Sequence, residues 1–270
     1  MRQQQQQTAT DSGDSALPPC AVVTGAGGRI GGATLEVLAD RLPERWRLVS
    51  VDRRPHPHVP DGLRMRVHHR AVDLTDVAAT EELFRDLADL FEVRHVMAVA
   101  GGADPHDGGR SGFELPDPTV FHAGVGANLL MPYHVFHAAH GVMRHVPGDR
   151  SVTFCSSVNA LGAWGRPAYS AAKAGLIALA RTLAVATAPE GIRVNAVAPG
   201  SVVAPDGTLG REEDPAVVAE LRRSIPLGKP ATPDDVARAF AALALDLTHV
   251  TGQTLVVDGG QDARRRTPKV

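Results

Sequence analysis

Tyr169 and Lys173 stand four residues apart, separated by Ser170, Ala171 and Ala172, small residues that favour a helix. Positions i and i+4 project from one helical face, so the phenol and the ammonium are expected side by side. A cation held there stabilises the phenolate and lowers the pKa of a group that otherwise titrates near ~10. A tyrosine tuned in this way can act as a general acid or base near neutral pH. Upstream, the apolar run Ser151 to Cys155 reads as a buried strand that ends at Ser156 and Ser157. A hydroxyl at a strand end can hydrogen-bond the charge that develops on a substrate oxygen. A plain amphipathic helix with a surface lysine has the same Tyr-x-x-x-Lys spacing, so its meaning depends on what the rest of the chain builds around it.

The elements that must position this pair begin at Cys20 to Thr24, a short apolar run of the kind found in buried parallel strands. It leads straight into Gly25-Ala26-Gly27-Gly28-Arg29-Ile30-Gly31-Gly32 and then the helix-periodic ATLEVLADRL. In a strand, glycine turn and helix, the backbone can turn tightly and bring a pyrophosphate to the N–H groups of the helix start. Gly25, Gly28, Arg29, Ile30 and Gly31 are therefore candidate cofactor-binding residues; the alternative is a glycine turn with no ligand. The second strand, Trp46 to Val51, ends at Asp52, about 20 residues past the glycines, where a carboxylate accepts from adenosine ribose hydroxyls. It would repel a 2′-phosphate, which favours NAD over NADP. Arg53, Arg54 and Arg29 pull the other way, because guanidinium groups pair well with phosphate. Asp52 is weighted more heavily, so the expected cofactor is NAD.

A third strand, Arg66 to Val72, ends at Asp73-Leu74, where Asp73 either bonds an adenine amino group or caps the following turn. Thr75 or Asp76 then caps a helix. The fourth strand, His95 to Val99, meets the small residues Ala100, Gly101 and Gly102. A helical pattern over 120–145 contains Asn128, and Ile192 to Val197 is a sixth strand ending at Pro199-Gly200. The loop-rich stretch to Pro230, with a helical piece near Asp214 to Arg223, reads as a lid over a ligand. Gln253 to Val257 is the last strand. Strands and helices alternate throughout, which predicts a parallel sheet covered on both faces, with ligands beyond its C-terminal strand ends.

With 270 residues and 43% hydrophobic composition the chain can fill one large α/β domain, expected over 19–262, between polar tails at 1–18 and 263–270. A formal charge of -2 gives no general pull toward nucleic acid or anionic membrane. Cys20 and Cys155 are the only cysteines, which excludes a disulfide framework and suits a reducing cytoplasm. No apolar run of about 18 residues stands out, so no membrane span is expected. The 12 histidines include the pairs His56/His58 and His68/His69 and the series His134, His137, His140, but no carboxylate or thiolate stands near enough to complete a metal site.

Taken together, TGAGGRIG (Thr24 to Gly31), VDLTD (Val72 to Asp76), Asn128-Leu129, SSVNALGAWGRPAYSAAKAG (Ser156 to Gly175), IRVNAVAPG (Ile192 to Gly200) and TGQTLVVDGG (Thr251 to Gly260) resemble the classical short-chain dehydrogenase/reductases, from about Cys20 to Gly260. The resemblance implies a single-domain, Rossmann-like, doubly wound seven-stranded parallel sheet in three α/β/α layers, usually a tetramer or dimer. It implies an oxidoreductase that passes a hydride between NAD(P) and a secondary alcohol or ketone, a small-molecule substrate. Tyr169 would be the catalytic acid/base, Lys173 would lower its pKa and hold the nicotinamide ribose, and Ser157 would bond the substrate oxygen. Asn128 would order a proton-relay water, and Pro199-Gly200 would lie along the carboxamide. Three positions depart from the family pattern. Arg29 replaces a glycine, Ala98-Val99-Ala100-Gly101 replaces Asn-Asn-Ala-Gly, and the serine-to-tyrosine loop is one residue short, which leaves Ser156 as an alternative to Ser157. A non-catalytic nucleotide sensor and an epimerase-like enzyme are the other readings of the scaffold.

Overall fold

Apolar side chains alternate along the central strands: Cys20 and Val22 point to one face of a sheet, Ala21 and Val23 to the other. The computed structural model describes residues 17–54, 66–108, 114–203 and 215–266. Its strands are β1 Pro19–Thr24, β2 Arg47–Asp52, β3 Val67–Ala71, β4 Glu92–Ala98, β5 Arg150–Cys155, β6 Ile192–Pro199 and β7 Thr254–Val257. They form one sheet of 7 strands in the order β3-β2-β1-β4-β5-β6-β7, with every neighbouring pair parallel. The helices are α1 Arg29–Arg41, α2 Val77–Leu90, α3 Pro118–Val125, α4 Met131–Met143, α5 Pro167–Thr187, α6 Pro215–Ser224, α7 Pro233–Leu245 and α8 Gln261–Arg266.

Leu83 and Phe84 of α2, Val135 and Phe136 of α4 and Leu176 of α5 pack with the Cys20/Val22 face. Leu35 and Leu38 of α1 and Val236 and Phe240 of α7 pack with the Ala21/Val23 face. The result is the expected three-layer α/β/α sandwich. Strand order reverses between β1 and β4, so the crossovers leave that point in opposite directions and open a crevice past the strand ends.

Four local expectations change. β4 begins at Glu92, because Arg94 satisfies the Glu92 carboxylate at 2.7 Å and lets a charged residue sit buried in the sheet. The helical pattern at 120–145 is broken by a π turn, Gly126–Leu130, between α3 and α4. Pro132 has no N–H for the carbonyl four residues back at Asn128, and the helix widens there. The C-terminal segment opens as α8 rather than as free tail, with Arg264 donating to the Arg223 carbonyl. Finally, by length and composition 167–190 could cross a membrane, with mean hydropathy 1.4. In the fold its apolar side is spent on the sheet, where Ala172, Leu176, Ala180 and Ala184 are buried. The tail 1–16, the loop 55–65 with His56 and His58, and the lid segment 204–214 lie outside the described residues.

At the opposite end of the sheet from the crevice, His95 is 3% exposed, stacks on Trp46 at 5.4 Å and shares a hydrogen bond with Ser151 at 2.9 Å. Burial lowers its pKa to about 4 against the upward pull of Asp149, with smaller downward contributions from Arg193 and Arg94. The unfolded chain binds this proton near ~6.5, so stability is full above that pH and is lost as pH falls toward about 4. Between pH 7.5 and 5 His95 is expected to cost about 2 kcal/mol. Urea unfolding at the two pH values should show a difference that shrinks by about this amount in His95→Gln.

Candidate active site

The crevice past β1 and β4 is a cleft of about 900 Å³, within the size range of small-molecule sites. The glycine turn after β1 forms its floor. Gly25 has φ 64, a left-handed conformation that disfavours side chains, and its carbonyl accepts from Gly28 N at 2.9 Å. A Cβ on Gly31 would lie 2.2 Å from that same carbonyl, so the start of α1 can pack against the turn only as glycine. Gly28 is the N-cap of α1 and provides no side-chain cap, so the helix start faces the cleft as bare backbone. A nicotinamide dinucleotide fits this arrangement in size and in the anion preference of an uncapped helix N-terminus.

Of the residues singled out by sequence, Gly25, Gly28, Arg29, Ile30, Gly31, Asp52, Arg53, Asp73, Leu74, Ala100, Gly101, Asn128, Tyr169 and Lys173 all line the cleft. Ser157, Pro199 and Gly200 do not. A Cβ on Gly200 would lie 2.7 Å from the Asp258 Cβ, so this glycine answers to packing against the turn after β7, and Val202 supplies the cleft wall instead. Gly102, Asp104 and Pro105, which follow the small pair Ala100-Gly101, also line the cleft, and sequence reasoning missed Met131 and Cys155 on the walls.

Asp52 is not waiting open for a ribose. Its Oδ2 accepts from Gly27 N at 2.9 Å, and its Oδ1 accepts from Arg54 N at 3.0 Å and Arg54 Nε at 3.1 Å. Burial pushes its carboxyl up, but the bonds from Arg54 and Gly27 outweigh this and hold it below the usual range. The Arg54 side chain is 58% exposed, so this pair can open at modest cost. Asp73 turns on itself, with Oδ1 accepting from Thr75 N at 3.0 Å and Thr75 Oγ1 at 2.7 Å, while Asp76 caps α2.

The altered Ala98-Val99-Ala100-Gly101 segment is braced by other residues. Thr24 Oγ1 accepts from Ala100 N at 3.1 Å, and Asn128 bonds both Gly102 N and Gly102 O at 2.9 Å. The second amide hydrogen of Asn128 goes to Gly124 O at 3.0 Å. Asn128 is 1% exposed, and its side chain clamps the backbone at Gly102 and Gly124. The π turn that follows from Pro132 places it there.

The two serines at the end of β5 have different partners. Ser156 Oγ donates to the Lys173 carbonyl at 2.8 Å and is buried. Ser157 Oγ is held by Asn159, donating to its Oδ1 at 3.3 Å and accepting from its N at 3.2 Å, and stands near enough to the Tyr169 phenol to pull its pKa down. Lys173 Nζ lies over the Tyr169 ring, 5.4 Å from its centroid, and donates to the Cys155 carbonyl at 2.7 Å. Lys173 is 2% exposed, and burial lowers its pKa. The expected lowering of the Tyr169 pKa is reversed. Burial, then the neighbouring Cys155, raise it to about 12, against smaller downward effects from the Ser157 bond and Arg166. Desolvation of the phenolate is the largest influence, and Lys173 Nζ lies over the ring rather than at the hydroxyl.

Among the described residues no three His, Cys, Asp or Glu side chains gather where they could hold a metal ion. His140 of the helical series instead pairs with Glu190 at 2.6 Å.

A family model described as enoyl-(acyl carrier protein) reductase matches residues 58–262. The cis-4-hydroxycyclohexanecarboxylate dehydrogenase of Sinomonas cyclohexanicum is 34% identical over 260 residues, 93% of this chain and 99% of that protein. The chain belongs to the classical short-chain dehydrogenase/reductase family. An uncharacterized short-chain type dehydrogenase/reductase of Sinorhizobium fredii is 35% identical over 88% of this chain. The chain spans only 43% to 51% of the length of that protein and of three other curated relatives. Among solved structures, an oxidoreductase of this family from Burkholderia thailandensis is 35% identical with a TM-score of 0.78, covering 91% of this chain and 93% of that one. Membership of the family is in keeping with the convergence of Tyr169, Lys173 and the glycine turn on one crevice.

Proposed function

We propose that this chain is an NAD(P)-dependent oxidoreductase that interconverts a secondary alcohol and its ketone. The observation that carries the reading is Lys173 Nζ 5.4 Å from the Tyr169 ring centroid, both residues lining a dinucleotide-sized cleft, with Ser157 beside the phenol. The cyclic secondary alcohol named in the Sinomonas relative is in keeping with it. When bound, the nicotinamide supplies or accepts the hydride.

The start of α1, with Gly28, Arg29 and Ile30, would hold the pyrophosphate on backbone N–H groups. Lys173 would reach the nicotinamide ribose, and Ala100 and Gly101 leave room for it. Tyr169 would transfer the proton at the substrate oxygen, with Ser157 donating to the same atom. With its pKa raised to about 12, Tyr169 carries its proton at neutral pH and is an acid, the form that reduction of a carbonyl requires. Two cysteines buried and unpaired agree with work in a reducing cytoplasm.

The proposed cofactor is NAD, with Asp52 accepting from the ribose hydroxyls. The Asp52–Arg54 pair favours a second reading in which NADP is also accepted, since Arg54 already cancels the charge that would repel a 2′-phosphate. Titration of the protein with NADH and NADPH, followed by a panel of secondary alcohols and ketones, tests both readings. Arg54→Ala should lower the NADPH-to-NADH affinity ratio about ten-fold, because it removes a phosphate partner and frees Asp52 for the ribose. An unchanged ratio would mean that Arg54 takes no part. Binding of NAD(H) without turnover of any alcohol or ketone in the panel would favour the non-catalytic nucleotide sensor.

A further inference from the structure

α5 carries both Tyr169 and Lys173, yet it has no cap of its own. Its N-cap residue, Arg166, sits at φ 54 and offers no side-chain hydrogen bond to the helix. That leaves the first N–H groups of a 21-residue helix to be satisfied from elsewhere. They are satisfied from the turn that follows β4. Asp107 Oδ1 accepts from Ala168 N at 3.0 Å and Oδ2 from Tyr169 N at 2.8 Å, and Asp107 is 2% exposed.

The turn is tied down on its own side as well. Asp107 N donates to Asp104 O at 3.1 Å, and Arg166 Nη1 donates to the same Asp104 carbonyl at 2.9 Å. The clamp therefore closes in both directions: a carboxylate from the turn grips the helix, and a guanidinium from the helix start grips the turn. Asp104 also lines the cleft, so the segment that holds Tyr169 is part of the wall against which a ligand would rest. A carboxylate at a helix N-terminus, taken by two N–H groups and shielded from water, is a strong and directional anchor. One of its two bonds ends on the backbone of Tyr169 itself.

We propose that Asp107 is a positioning residue for Tyr169, fixing through the first turn of α5 where the phenol stands relative to Ser157 and the cleft. This rests on the reading of Tyr169 as the acid/base. An ordinary cap would contribute stability and nothing more. A positioning residue also sets the reactivity of the phenol, because small misplacements of a reacting group cost up to about 10²-fold in rate.

The test uses Asp107→Asn, which keeps the shape and one acceptor, and Asp107→Ala, which keeps neither, in the full chain. The expected result is a graded fall in kcat, about ten-fold for Asn and about a hundred-fold for Ala, with KM for the cofactor within about three-fold. A second readout needs no turnover. The chain has two tyrosines, so Tyr133→Phe, on the exposed side of α4, leaves Tyr169 as the sole phenol, and its ionisation can be followed by ultraviolet absorbance. Asp107→Asn in that background should move the midpoint down toward the ordinary value, as the lost carboxylate and the looser helix start both favour the phenolate. Lys173, Cys155 and Arg166 face Tyr169 in both proteins and are unchanged. Lower thermal stability with kcat and the phenol midpoint both unaltered would overturn the proposal and leave Asp107 a plain cap. If Asp107→Ala fails to fold, Asp107→Asn decides alone. Turnover surviving in Tyr169→Phe would instead overturn the catalytic reading, and the absorbance titration would still decide whether Asp107 governs the phenol.

Discussion

Tyr169→Phe is expected to lower kcat by about 10²- to 10⁴-fold, the span that general acid–base catalysis commonly contributes, while NAD(H) affinity changes by no more than about two-fold. The substitution removes one oxygen. The ring is what Lys173 Nζ lies over, and it stays in place, as does the bond from Lys173 to the Cys155 carbonyl. Ser157 keeps its contact with Asn159. The cradle for the dinucleotide, at Gly25 to Gly31, is built from another part of the chain and does not depend on the hydroxyl. What is lost is the proton at the substrate oxygen. Steady-state kinetics beside a NADH titration separates the two quantities. Equal loss of turnover and cofactor binding would mean that Tyr169 is a binding residue, and unchanged turnover would remove it from the mechanism.

Gly31→Ala should cost about a hundred-fold in cofactor affinity and about 1–3 kcal/mol of stability. The new methyl carbon would stand 2.2 Å from the Gly25 carbonyl oxygen and 2.8 Å from the Ala26 Cα. Both are backbone atoms, so no rotamer change relieves the overlap, and the turn itself must move away from α1. That movement displaces the helix start from the wall of the cleft it lines. Gly32→Ala is the control. Its Cβ would meet only Ala26 O, at 3.5 Å, an ordinary contact, and affinity should stay within about three-fold. Titration with NADH reads the first effect and urea unfolding the second. Similar affinities for the two variants would show that the tightness of the turn is not what holds the dinucleotide.

The strands could be read from the sequence because burial on both faces of a parallel sheet demands continuous apolar runs, and Cys20 to Thr24 and Ile192 to Val197 are of that kind. Glu92 hid the start of β4, since a charge at a strand end reads as helix or loop until its partner Arg94 is seen folded against it. The helix around Asn128 read as continuous because the periodicity of 120–145 is helical throughout. Pro132 was the local clue to the break, and its effect falls four residues upstream, on the carbonyl of Asn128. Asp107 gave no signal at all. It lies 61 residues before Ala168, whose N–H it takes, whereas local capping patterns are read within three or four.

By itself the sequence determined the α/β architecture, the glycine turn against a helix start, and the Tyr169/Lys173 pairing, because each depends on spacing along one or two adjacent elements. Only the tertiary structure decided the rest. It turned Ser157 toward Tyr169 and Ser156 toward the Lys173 carbonyl, joined Arg54 to Asp52, and set Asn128 to clamping Gly102. It also reversed the expected direction of the Tyr169 pKa. Spacing places a cation beside the phenol but says nothing of water, and loss of water on burial is the largest influence on the phenol.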